Sequence, residues 1–241
     1  MIYLYSWISY LFLLPAILFS LYASAKVKSA FEKYKKVNSV SDWTASDMSR
    51  MLLEKYGCAG VSVQRVNGNL SDNYDPKGYT LNLSDSVYNS TSIAALGVAA
   101  HEVGHAVQDK NEYFMLKVRS LLVPVTNIGS KAALPLLIIG VIIEYLGGSN
   151  VFGEFGTILI LIGIIAYALA TVFTLITLPV EIDASRRARK MLAETGVLSR
   201  TEIKQTKEVL DAAALTYFAA FAVSLMYLLR LLFILSRVRR R

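Results

Sequence analysis

Residues 155–187 read FGTILILIGIIAYALATVFTLITLPVEIDASRR. From Phe155 to Val180 nothing in this stretch is charged, and a helix needs only about 20 apolar residues to cross a bilayer. Glu181 follows at once, then Asp183, Arg186 and Arg187. The stretch therefore carries both a membrane span and, at its end, groups able to do chemistry.

Three more apolar runs lie outward from it: Ile2 to Ala25, Ala132 to Leu146 with a possible start at Leu121, and Ala212 to Ser236 interrupted by Arg230. The first is too long and aromatic for a signal-peptide core and has no basic residues before it, so it reads as a retained anchor. Composition agrees, with 54% hydrophobic and 18% charged residues and a mean hydropathy of +0.45, outside the range of ordinary soluble domains. The expected fold class is a mainly α integral membrane protein with about four membrane-associated helices. Pro124 and Pro135 are expected to break or kink the second long run.

The polar stretch from Lys26 to about Leu116 is the one that reads as a water-exposed folded unit. Asp42 to Tyr56 has apolar residues at helical spacing, with Thr44 or Ser46 as cap and Gly57 as stop. Val61 to Val66 and Tyr79 to Leu83 alternate like short strands, and Asp75-Pro76-Lys77-Gly78 between them has turn chemistry. A helix starting near Ser90 to Ser92 carries Ile93 through Gln108.

The net charge of +7 would suit a phosphate backbone, but the basic residues flank apolar runs instead: Lys26 to Lys36 after the first, Arg237 to Arg241 after the last. Their expected role is topological or toward anionic lipid, and no nucleic-acid partner is expected. The 147–156 connector has no Lys or Arg, whereas the segments before and after the hairpin are basic. A multi-pass protein of the cell membrane with both basic segments in the cytoplasm is expected. The terminal arginines run against this scheme if the last run crosses fully. A single cysteine, Cys58, excludes an intramolecular disulfide and leaves any metal site to nitrogen and oxygen ligands.

The two histidines of the chain both fall in His101-Glu102-Val103-Gly104-His105. Four apart on a helix, they project from one face and can share one ion. Two imidazoles at that spacing suit one zinc ion, and Glu102 beside them would take a proton from the attacking water as general base. A catalytic zinc needs a third protein ligand and an open fourth position. With no third histidine, that ligand must be a carboxylate, and Glu181 at the end of the apolar run is the best candidate. Asp183 is either an outer acceptor for a ligand histidine N–H or the ligand itself, with Glu181 outside. Gly104, costly in a helix relative to Ala, would be explained by a segment packed close against it or equally by neutral drift.

Asn73-Tyr74-Asp75-Pro76, Leu83-Ser84, Val87-Tyr88, Ser92 to Ala95, Gly97 to Gln108 and LPVEIDASRRA at 178–188 together resemble the YugP-like neutral zinc metallopeptidases, which are bacterial multi-pass membrane proteins. The resemblance covers about residues 40 to 220. More distantly, the arrangement after Glu181 is similar to that of membrane gluzincins related to the HtpX heat-shock protease and the CAAX prenyl protease. It implies His101, His105 and Glu181 as zinc ligands and Glu102 as base. Two positions depart: Asn73 stands where a histidine is expected, and Ser185 where the HtpX-type pattern has an aspartate.

The expected organisation is an anchor at 1–25, a cytoplasm-facing zincin-like α+β unit at 26–120, a transmembrane hairpin at 121–180, a third-ligand segment at 181–211, and a final membrane helix with basic tail at 212–241. The expected function is that of a zinc-dependent endopeptidase acting on membrane or membrane-proximal proteins. The alternative is a membrane scaffold or regulator that keeps zinc for structure. Tyr79 to Leu83 is the expected edge strand for an extended peptide. Tyr74, Tyr79, Tyr88, Asn73 and Arg186 are candidate oxyanion donors. A transporter is disfavoured, because only Lys131, Glu144 and Arg230 fall near or in the runs.

Overall fold

A computed structural model describes residues 11–69, 71–148 and 150–238. Six helices and three strands are described: α1 (Leu14–Tyr34), α2 (Ala45–Lys55), β1 (Ser62–Val66), β2 (Asn73–Asp75), β3 (Thr80–Ser84), α3 (Ile93–Lys110), α4 (Phe114–Gly147), α5 (Val151–Thr195) and α6 (Arg200–Val238). The chain divides into two compact units.

One unit comprises residues 22–117 and 178–217. Its sheet has the order β1-β3-β2. β1 runs parallel to β3 with Ser62 opposite Thr80, and β2 runs antiparallel to β3 with Tyr74 opposite Leu81. The turn expected at Asp75 to Gly78 is present, with the Lys77 N–H donating to Asp75 Oδ1 at 2.9 Å, and it joins β2 to β3. Strand expectations for the regions around Val61–Val66 and Tyr79–Leu83 are met, while β2 is an addition. β3 is flanked on both sides, so it cannot serve as the edge strand expected of Tyr79 to Leu83. That edge belongs to β2.

Two helices of this unit, α2 and α3, start on side-chain caps. Thr44 accepts from Asp47 N–H before α2, and Ser92 accepts from Ala95 N–H before α3, each satisfying a donor that the first turn leaves unpaired. α2 ends before Gly57, whose φ of +71° is a conformation that favours glycine. The core gathers Met48, Leu52, Leu81, Leu83, Leu96 and Val103 with Met191 and Leu192.

The other unit comprises residues 1–21, 118–177 and 218–241. α4 and α5 pack on glycines: a β-carbon at Gly140 would lie 2.8 Å from the Gly156 carbonyl oxygen. Helices that meet outside water use such small residues to bring backbones together. Pro124 and Pro135 both lie inside α4, which continues through them, so of the break or kink expected there no break occurs. Many apolar side chains of this unit are exposed, among them Leu121, Ile138, Ile142 and Ile165.

Among the described residues three helices are long and apolar enough to cross a membrane: Phe114–Gly147, Val151–Thr195 and Arg200–Ser236. The expected count was about four. The first apolar run, Ile2 to Ala25, lies partly outside the described residues, as does the basic tail.

Candidate metal centre

α3 is lined by Ala, Val and Gly, and its residues from Ile93 to Gln108 are almost all buried. His101 and His105 stand one turn apart, with ring centroids 4.8 Å apart and planes at 86°. Glu181 reaches them from α5. Its Oε2 lies 3.1 Å from His101 Nε2 and 3.6 Å from His105 Nε2, and the residue is 2% exposed. The long-range meeting expected from the sequence is thus made.

Gly104 explains how the two helices come so close. A β-carbon there would sit 2.6 Å from the Ala184 carbonyl oxygen and 3.2 Å from Ala184 Cα. Ala184 is three residues after Glu181, on the same face of α5. The seam that needs glycine is therefore the seam that sets the carboxylate over the histidines.

Each imidazole is oriented from its other nitrogen. His101 Nδ1 lies 3.1 Å from Ser185 Oγ, so the serine that departs from the HtpX-type pattern occupies an outer position at the site. His105 Nδ1 lies 3.0 Å from Gln108 Oε1. The Gln108 amide donates to the Val180 carbonyl at 2.8 Å and to Asp183 Oδ2 at 3.0 Å. Arg187 Nε donates to the same Asp183 oxygen at 2.6 Å. Asp183 is thus linked to His105 through Gln108, and the clustered set is His101, His105 and Glu181.

Zinc fits this donor set. The three ligand atoms lie within 4.8 Å of one another. Tetrahedral zinc with bonds of about 2.0–2.1 Å holds its ligand atoms about 3.3 Å apart, and the two Glu181 distances bracket that value. Two nitrogens and one carboxylate oxygen leave a fourth position free.

Glu102, 9% exposed, is held from the sheet: its Oε2 accepts the Tyr74 N–H of β2 at 3.0 Å. The Tyr74 hydroxyl donates to Asp109 Oδ2 at 2.9 Å. Burial, with the Asp109 carboxylate adding to it, pushes that phenol above its ordinary value. Asp72 accepts the N–H and hydroxyl of Ser84 at 2.8 and 3.0 Å. Burial raises the Asp72 carboxyl, the Ser84 hydrogen bonds oppose this, and the charge of Glu102 raises it further.

A cavity of about 270 Å³ opens beside His101 and Glu102, with Val209, Leu210, Ala213 and Tyr217 on its wall. Of the candidate oxyanion donors, Asn73 accepts from Asn82 on the sheet, and the Tyr88 hydroxyl accepts from Arg50. Tyr79 and Arg186 are exposed, and Tyr74 meets the site through its main chain. Sequence reading missed Gln108, Asp72 and Tyr217. For Gln108 only its spacing was readable, three residues beyond His105 on the same helix face; its partner on α5 was not.

The family model described as "Putative neutral zinc metallopeptidase" matches residues 9–236. The chain belongs to that family. It is 43% identical over 215 residues to a protein of Bacillus subtilis (strain 168) named "Putative membrane protease YugP", covering 89% of this chain and 91% of that relative. No solved structure matches the chain.

Proposed function

We propose that the chain is a membrane-embedded, zinc-dependent endopeptidase, with His101, His105 and Glu181 as ligands, acting on membrane or membrane-proximal proteins from the cytoplasmic side. The observation that carries this reading is one Glu181 oxygen approaching Nε2 of both histidines, at 3.1 and 3.6 Å. The Lys- and Arg-free connector between α4 and α5 supports the orientation.

A zinc ion held there supplies Lewis acidity, making water nucleophilic near neutral pH and polarising the scissile carbonyl. Glu102 takes the proton of the attacking water and returns it to the leaving amine. Among the described residues β2 has a strand partner on one side only, and the Tyr74 N–H points from its other side to Glu102. An extended peptide laid on that open edge would pair main chain to main chain beside the base. The apolar wall at Val209, Leu210 and Ala213 suits one apolar side chain of the substrate, and the Tyr217 phenol on that wall is the proposed oxyanion donor.

The test uses full-length protein in detergent. About one equivalent of zinc is expected, with peptide hydrolysis. Glu102→Gln should keep the metal and lower turnover about 10²- to 10⁴-fold. Wild type holding less than about half an equivalent would end the zinc reading. Zinc retained without hydrolysis of any peptide or membrane protein would favour the scaffold instead. Labelling of a cysteine introduced at Asn150 by a membrane-impermeant reagent checks the orientation, and protection from it would reverse the assignment.

A further inference from the structure

We propose that Gln108 is a positioning residue for the metal: its side-chain amide, fixed by the backbone next to Glu181, sets which nitrogen of His105 faces the ion. The proposal rests on the zinc reading above.

Gln108 is 0% exposed, so its amide has no water to satisfy it and its orientation is decided by its partners. On one side stand the Val180 carbonyl at 2.8 Å and Asp183 Oδ2 at 3.0 Å. A main-chain carbonyl can only accept, so the NH₂ end must lie there. The opposite end, Oε1, then faces His105 Nδ1 at 3.0 Å. A carbonyl oxygen cannot donate, so Nδ1 must carry the hydrogen. Nε2, which faces Glu181 at 3.6 Å, is left with its lone pair directed at the shared point.

The carbonyl at the root of this chain belongs to Val180, the residue before Glu181. One amide therefore couples the ring of the second histidine to the backbone that presents the carboxylate. Asp183 supplies a second acceptor and is itself held by Arg187, which keeps the amide from turning over. His101 has only a hydroxyl in the matching place, and a hydroxyl can donate or accept. The fixed tautomer is thus a property of His105.

Purified full-length wild type, Gln108→Met and Asp183→Asn would be compared for zinc affinity by competition with a chromophoric chelator. Gln108→Met should weaken zinc binding about 10- to 100-fold, as loss of an outer partner of a ligand histidine does. Asp183→Asn should cost less, because the Val180 carbonyl still orients the amide. Binding by Gln108→Met within about twofold of wild type, well short of the usual outer-partner effect, or a larger loss in Asp183→Asn, would overturn the proposal. Should Gln108→Met fail to fold, zinc-loaded wild type labelled with ¹⁵N-histidine decides the matter, since the chain has two histidines. His105 is expected to show a slowly exchanging hydrogen on Nδ1, and a hydrogen found on Nε2 would overturn the assignment. A wild type that binds no zinc would instead bring down the metal reading itself, a separate outcome.

Discussion

In the first half of α5, Ile158, Ile162, Ile165, Leu169, Val172 and Leu175 are 42–61% exposed; in its second half Val180, Ala184, Ala188 and Leu192 are 0% exposed. Both sets are apolar and recur at helical spacing. What separates them is what the helix meets. The first half turns long aliphatic side chains outward, as a helix in lipid can, because hydrocarbon asks only that backbone groups be paired internally. The second half turns small ones inward, where α3 leaves room at Gly104. Apolar periodicity thus marks a face without saying whether lipid or protein will cover it.

The comparison can be tested from its strongest contrast downward. Glu181→Ala removes the one acid that the second half sends to the histidines, so zinc affinity should fall by more than about 100-fold, beyond the usual effect of an outer partner. Chelator competition reads this, and near-normal affinity would break the link between α5 and the metal. Leu192→Ala, deep in the core, should cost about 2–5 kcal/mol in denaturant unfolding. Gly104→Ala should cost about 1–3 kcal/mol by overpacking, and should lower zinc occupancy as well, because the Ala184 backbone must retreat with Glu181. A destabilised Gly104→Ala protein with full zinc occupancy would separate the seam from the site. Ile165→Ala, in the exposed half, should change unfolding by less than about 0.5 kcal/mol. A cost matching Leu192→Ala would mean that the outward face is covered by protein.

Much of this was legible in the sequence, for reasons that particular residues show. The histidine pair and Glu102 were readable because their spacing is local to one helix, and Glu181 because an acid directly after a long apolar run is conspicuous. The α2 and α3 starts were readable because Thr44 and Ser92 are capping residues. β2 was not, since Asn73-Tyr74-Asp75 has no apolar alternation and becomes a strand only by pairing with β3. With β2 unseen, β3 was taken for the edge. Gln108 escaped because its role depends on the Val180 carbonyl, 72 residues away, which no pattern within the helix discloses. That α4 runs on through Pro124 and Pro135 was likewise beyond local rules, which allow either a break or a kink at proline, whereas a long apolar helix can absorb it.

The Tyr74 N–H that holds Glu102 has a consequence for how this chain can drift. A main-chain donor is carried by every residue except proline, so the orientation of Glu102 is insulated from nearly all substitutions at position 74. The ring of Tyr74 is committed to Asp109 and can change its chemistry without touching the Glu102 contact. Of the twenty amino acids, only one at this position would abolish the contact outright.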